Sequence, residues 1–191
     1  TLVDVRDSSK AAMVWNIGAD VECALWKYSE PTQLIASSES GEVFSFDSRM
    51  GKNSEPVFSF SAHEKASTCL SLSPGVSNLL VTSSMDKTLK LWDITKPDEA
   101  MASLDFDDAI CDVQWNRDGS LMGTTCKDHV IRMSDLRAGE KPVLAFEKSH
   151  QGSKPSKLCF VNNFNRLYSF GNGRSNSRVC KVWDMRKQAS A

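Results

Sequence analysis

Residues His63 to Asp93 read HEKASTCLSLSPGVSNLLVTSSMDKTLKLWD. Three short apolar runs stand in this stretch, Thr68 to Leu72, Leu79 to Ser83 and Leu89 to Trp92, and a fourth, Val57 to Phe60, precedes it. Runs this short, rich in Val, Leu, Thr and aromatic residues, are strand signals, and nothing here sustains the i, i+3, i+4 stripe of a helix. Ser73-Pro74-Gly75 separates the first pair and Met85-Asp86-Lys87 the second, which is turn chemistry. The stretch closes on Trp92-Asp93, and similar closures recur at Val3-Asp4, Phe46-Asp47, Ser134-Asp135 and Trp183-Asp184, at spacings of 43, 46, 42 and 49 residues. A period of roughly 40 to 45 residues carrying four strands per unit is that of a β-propeller. The fold class expected is therefore all-β, with about four four-stranded blades.

The other units keep the same register. Trp26, Leu72, Trp115 and Phe160 fall at one shared place near the end of the predicted inner strand, at steps of 46, 43 and 45. Recurrence of a bulky residue at one place in every unit favours packing of blade on blade over a ligand-stacking platform. The expected units are 5–47, 48–93, 94–135 and 136–184, with 1–4 the end of a preceding strand and 185–191 a tail. About seventeen strands are expected, where four closed blades need about sixteen. Ala11 to Ile17 is expected to pair beside Val179 to Met185, leaving Thr1 to Arg6 surplus. Four blades of a fold that usually has about seven should leave an open arc, half of an eight-bladed ring formed by two copies or a fragment of a larger propeller. Open blade faces and unpaired edges promote association.

The unit from His63 to Asp93 resembles the WD-repeat family: a His in the loop before the inner strand, Ser84 and Asp86 framing the hairpin turn, and Trp92-Asp93 closing the third strand. The resemblance implies a structural hydrogen-bond relay of His63, Ser84, Asp86 and Trp92 that holds the blade. Each bond of such a relay is worth about 0.5–1.5 kcal/mol net, and a buried group left without its partner costs about 1–3. A nucleophilic His-Asp-Ser reading of the same residues fails on placement, because a nucleophile must face a pocket and these should lie between strands. Elsewhere the pattern is diluted. Seven residues before each closing Asp stand Ser40, Asp86, Asp128 and Ser177, so the hairpin carboxylate is kept in two units, and His150 is the second candidate for the loop His. Phe46 and Ser134 replace the Trp, leaving Asp47, Asp93, Asp135, Trp183 and Asp184 as repeat-closing residues. The last unit has a longer hairpin loop, Gly171 to Ser177, rich in Gly, Asn, Ser and Arg.

Finer resemblance divides the chain. Residues of about 1–96, through Gly18-Ala19-Asp20-Val21-Glu22, Gly41-Glu42-Val43 and Ala62-His63-Glu64, are similar to the periodic-tryptophan protein family, which implies ribosome assembly in the nucleolus. From about Ile110 onward, Trp115-Asn116-Arg117-Asp118-Gly119-Ser120-Leu121, Thr124-Thr125-Cys126-Lys127-Asp128, His150-Gln151-Gly152-Ser153-Lys154-Pro155 and Val182-Trp183-Asp184 resemble coronins, which implies an actin-associated propeller. Two likenesses meeting near 97–109 suggest a fusion, natural or engineered.

At 40% hydrophobic and 25% charged residues the composition is that of an ordinary globular domain able to bury a core. No apolar run approaches the roughly 20 residues that span a bilayer, and no secretory pattern opens the chain, so an intracellular setting, cytoplasmic or nuclear, is expected. Six cysteines are scattered over predicted strands without zinc spacing, and read as reduced core residues. A net charge of −1 argues against broad binding to a phosphate backbone. With no P-loop, no G-x-S-x-G and no metal-spaced His cluster, no enzyme, cofactor or metal is expected. A noncatalytic interaction scaffold remains, with protein partners or a second copy in a head-to-tail homodimer. The alternative is an engineered or chimeric self-assembling unit. Loops predicted to share one face of the disc bring together Glu39, Glu64, Asp107, Asp108 and the candidate partner-binding residues Lys65, Lys127, Lys154 and Arg174. The opposite face carries Asp-x-Arg at Asp4/Arg6, Asp47/Arg49, Asp135/Arg137 and Asp184/Arg186, placed to pair because residues two apart on a strand point the same way. Trp183-Asp184-Met185-Arg186 also resembles the signature of substrate receptors for cullin ubiquitin ligases.

Overall fold

A computed structural model describes residues 2–4, 7–51, 54–135, 141–152, 154–161, 166–175 and 177–186. Seventeen strands and no helix make up the described residues. At the N-terminus β1 (Leu2–Asp4) pairs antiparallel with β2 (Asp7–Met13). The first blade is β3 (Val21–Trp26), β4 (Gln33–Ser38), β5 (Glu42–Asp47) and β6 (Phe58–Ser61). The second is β7 (Ser67–Leu72), β8 (Leu79–Ser84), β9 (Thr88–Asp93) and β10 (Ala102–Asp105). The third is β11 (Ile110–Trp115), β12 (Met122–Cys126), β13 (Ile131–Ser134) and β14 (Leu144–Phe146). The fourth, β15 (Lys157–Val161), β16 (Arg166–Asn172) and β17 (Arg178–Asp184), has three strands. All pairings within blades are antiparallel between strands adjacent in sequence.

The inner strands β3, β7, β11 and β15 follow one another side by side, and the core lies between consecutive blades rather than within any one. Cys69, Val81, Leu91, Ile110, Val113 and Met122 fill the gap between the second and third blades. A blade cannot cover its own two faces, so each borrows its neighbour's apolar side. The shared bulky position does this: Leu72 is buried, the Trp115 indole reaches back to donate to the Ser71 carbonyl at 3.3 Å, and Phe160 presses on Gly123, where a Cβ would come within 3.2 Å of its ring. Trp26, at the leading face of the arc, is 39% exposed.

A second row shares the same spacing three residues earlier: Cys23, Cys69, Asp112 and Lys157. Buried Asp112 links three blades. Its Oδ1 accepts from Cys69 Sγ at 3.3 Å and Lys157 Nζ at 3.2 Å, and its Oδ2 accepts from the Leu158 amide at 2.7 Å.

The expected closure does not occur. Ala11 to Ile17 was to lie beside Val179 to Met185, yet β2 ends at Met13, pairs with β1, and leaves β17 with no outer neighbour among the described residues. Leu2–Asp4 stays outside the four blades, paired with β2 in a separate two-stranded sheet. Trp15 beyond β2 instead stacks on Phe46 at 5.2 Å, and its indole donates to Ser54, so it caps the blade whose closing Trp is missing. The arc is open. Its trailing face carries Cys159, Phe170 (47% exposed), Cys180 and Val182 (52% exposed). Cys159 and Cys180 are thus surface thiols, contrary to the expectation of six core cysteines, because no blade covers that face. All six are free.

Candidate loop-bearing face

The loops that enter each inner strand and the hairpins between second and third strands share one face, tied by backbone bonds such as Met85 N to Ala66 O, Lys127 N to Ala109 O and Gly152 N to Asn172 O. Close approach demands glycine at Gly41, with φ +85°, where a Cβ would sit 2.2 Å from the His63 carbonyl oxygen.

In the second blade a relay anchors this face. Trp92 Nε1 donates to Thr82 Oγ1 at 2.9 Å, Thr82 Oγ1 lies 2.7 Å from His63 Nε2, and His63 Nδ1 lies 3.0 Å from Asp86 Oδ2. An indole N–H only donates and a carboxylate only accepts, so one order of protons satisfies every member. Thr82 O–H donates to Nε2, and Nδ1–H donates to Asp86. Asp86 further accepts from the Thr88 amide and hydroxyl at 2.9 and 2.7 Å and from the Glu64 amide at 3.2 Å. Burial pushes the His63 pKa down against the opposing pull of Asp86, so the imidazole is neutral. Burial would raise Asp86, but the Thr88 hydroxyl and amide and the nearby His63 together hold its carboxyl below the usual range.

The hydroxyl of this relay is Thr82 and not Ser84. Ser84 sits one pleat further on, at the mouth of the hairpin, where its Oγ accepts the Asp86 amide at 3.0 Å and donates to the Lys65 carbonyl at 3.2 Å. Sequence reasoning missed Thr82 for want of a second example, which the fourth blade supplies. There His150 Nε2 lies 2.8 Å from Ser169 Oγ, and Trp183 Nε1 donates to the same oxygen at 2.8 Å. Each hydroxyl follows its His by nineteen residues, Thr82 after His63 and Ser169 after His150, a spacing that could have found both. His63 and Thr82 are buried, Thr82 at 0% exposure, so neither faces a pocket as a catalytic group would.

The fourth-blade relay has no hairpin carboxylate. Run in the same order, Ser169 donates to Nε2 and leaves His150 Nδ1–H buried, and this atom has no hydrogen-bond partner among the described residues. In the third blade Asp128 pairs with a cation instead of an imidazole: Arg132 Nη2 lies 2.6 Å from its Oδ2.

Lys65, Lys127, Lys154 and Arg174 are all exposed on this face. Lys127 and Lys154 line one cleft of about 210 Å³ between the third and fourth blades, together with His129, His150, Cys111 and Cys126. Burial pushes the Cys126 thiol up to about 12 and raises Cys111, so neither contributes negative charge near neutral pH. Arg174 is engaged elsewhere, its Nε donating to Gln151 Oε1, and Lys65 lies at the second blade.

On the opposite face Asp47 grips Arg49, with Nη2 at 2.6 Å from Oδ2, and the Arg49 side-chain and amide donors lower the Asp47 carboxyl to about 2. Asp184 and Arg186 pair likewise at 2.9 Å. Asp93 turns instead to Thr95, accepting its amide and hydroxyl at 2.9 and 2.6 Å. The expected pairs Asp4/Arg6 and Asp135/Arg137 lie outside the described residues through Arg6 and Arg137.

Residues 54–93 match the family described as WD domain, G-beta repeat. The chain superposes on the WD40 domain of Toxoplasma gondii coronin with a TM-score of 0.78 at 23% identity, over 89% of this chain and 45% of that one. A chain of the mitotic checkpoint complex superposes with a TM-score of 0.70 at 17% identity, over 91% of this chain and 53% of that one. The fold so defined is that of a β-propeller, with a WD repeat at residues 54–93. Within it the chain is coronin-like: it is 33% identical to human Coronin-2A over 58% of its own length and 22% of that protein, and 28% identical to human Coronin-7 over 91% of its length and 17% of that protein. The second alignment, over 173 residues, runs through the stretch near 97–109 where two likenesses were expected to meet. The chain spans about a fifth of the length of these curated relatives and about half of the structural ones.

Proposed function

We propose that the chain is a noncatalytic protein-interaction module whose blades hold the loop-bearing face rigid for a protein partner. The observation that carries this is the second-blade relay, which fixes the loop at His63 to the hairpin at Asp86 with every polar group satisfied. Binding through a few well-held anchors needs such rigidity, because loops that must be ordered on binding lose affinity to entropy. The sequence units 5–47, 48–93, 94–135 and 136–184 are the repeating elements of this display. The partner implied by the coronin resemblance is the actin filament, in a cytoplasmic setting. Likeness to natural chains across most of the sequence favours this over an engineered assembly unit. Co-sedimentation with actin filaments tests it: the chain should pellet with filaments and stay in solution without them, and failure to pellet at any filament concentration contradicts the actin assignment.

A second reading, self-association, is favoured by the apolar trailing face at Phe170, Cys180 and Val182. Contiguous exposed apolar surface of this kind marks an interaction site. Light scattering coupled to size exclusion would show a particle of twice 21.1 kDa that persists on dilution. A monomer across a hundredfold range of concentration would remove this reading.

A further inference from the structure

The cleft between the third and fourth blades has two lysines and two histidines in its lining and no carboxylate among the described residues, although Asp108 stands close to its cysteines. Lys127 and His129 come from the β12–β13 hairpin, and His150 and Lys154 from the loop leading into β15. The Lys127 and Lys154 ammonium groups are exposed and enter no ion pair among the described residues. The nearby hairpin carboxylate, Asp128, is already taken by Arg132 at 2.6 Å. His150 is buried to 2% exposure in the wall of the cleft, and its Nδ1 has no hydrogen-bond partner among the described residues. A buried donor without an acceptor costs about 1–3 kcal/mol, which folded proteins rarely tolerate without a role for the group. In the second blade the same ring nitrogen of His63 is met by a carboxylate oxygen, Asp86 Oδ2 at 3.0 Å, with the Thr88 hydroxyl beside it at 2.9 Å.

We propose that this cleft takes a carboxylate side chain from an acidic segment of a protein partner, with Lys127 and Lys154 as its cations and His150 as the buried donor beside them. The proposal rests on the interaction-module reading and names the chemistry of the contact. A carboxylate suits the site better than a neutral amide because both lysines gain a counter-charge in a partly enclosed space, where charge-assisted bonds are stronger than in open water. Gly171 keeps the His150 seat open, since a Cβ there would lie 2.5 Å from the imidazole ring.

The test uses the full chain, isotope-labelled and titrated at low salt with capped hexaglutamate, with hexaglutamine and with inorganic phosphate, followed by backbone and imidazole resonances. Hexaglutamate should shift the signals of Lys127, His129, His150 and Lys154, hexaglutamine should not, and Lys127→Ala/Lys154→Ala should weaken hexaglutamate binding about tenfold while melting unchanged. The double variant removes only exposed side chains, so the fold is retained. Binding that survives the double variant overturns the proposal, as does phosphate binding without peptide binding, or no binding. Actin co-sedimentation by the same variant separates the two readings. Pelleting that persists with peptide binding abolished leaves the cleft outside the actin contact, whereas loss of pelleting in wild type with intact peptide binding removes actin and keeps the cleft.

Discussion

At the scale of single residues the relay is the decisive feature, and Thr82 is its joint. Thr82→Ala would strip both Trp92 Nε1 and His63 Nε2 of their partner, at about 1–3 kcal/mol for each orphaned group. Ser84→Ala removes two partly exposed hydrogen bonds at the hairpin mouth, from the Asp86 amide and to the Lys65 carbonyl, and should cost about 1–2 kcal/mol, less than Thr82→Ala, as denaturant unfolding of the two variants would show. Acid tests the same network. The His63 pKa lies below its unfolded value of 6.5 because burial disfavours the charged ring. Between the two values the unfolded chain binds more protons, so stability is full above about 6.5 and is lost as pH falls through 6.5 toward the folded value. Asp86, also lowered, adds a further loss in the same direction below 3.8. Unfolding free energy measured from pH 7.5 down to 5.5 should therefore fall, and His63→Gln should flatten that slope. His63 and Trp92 were legible in the sequence because each is a rare residue type at a distinctive place, and Asp86 because it stands in the hairpin turn between them. Thr82 was not, since Thr82, Ser83 and Ser84 are three hydroxyls in a row, and only strand depth tells them apart.

At the scale of elements, blades are joined by few but well-placed polar groups. Asp112→Ala would leave the buried Leu158 amide without its acceptor and release Lys157, loosening the fourth blade from the third by about 1–3 kcal/mol. The signature would be faster amide exchange in β15 than in β7. Gly41→Ala forces a Cβ against the His63 carbonyl at a positive φ and should destabilise by about 2 kcal/mol or more, read as a lowered melting temperature. Strand positions around the second blade were readable to within a residue or so, Val57–Phe60 against β6 at the outer edge of the first blade and Leu79–Ser83 against β8 in the second, because turn residues and apolar alternation agree there. Ala11 to Ile17 was misplaced for the opposite reason. Ala11, Met13, Trp15 and Ile17 alternate as a strand would, but Trp15 is used to stack on Phe46, which needs one anchored side chain and no ladder.

At the scale of the molecule, the open arc follows from how blades cover one another. The count of seventeen strands was legible; their closure was not, because closure depends on which edge finds a partner and not on the period. Trp26 at one end and Phe170 at the other are core residues in type and surface residues in place. Phe170→Arg should suppress any association seen by light scattering while leaving the relay blades intact, since its side chain lies on the uncovered face. The central claim, that the loop-bearing face is the surface that meets a protein, is most directly tested by amide hydrogen exchange of the chain with and without actin filaments. Added filaments should protect the loops at 62–66, 106–109, 127–130 and 150–152, leaving the turns at 27–32, 73–78 and 116–121 unchanged. Protection confined to those opposite turns, or none at all, would contradict it.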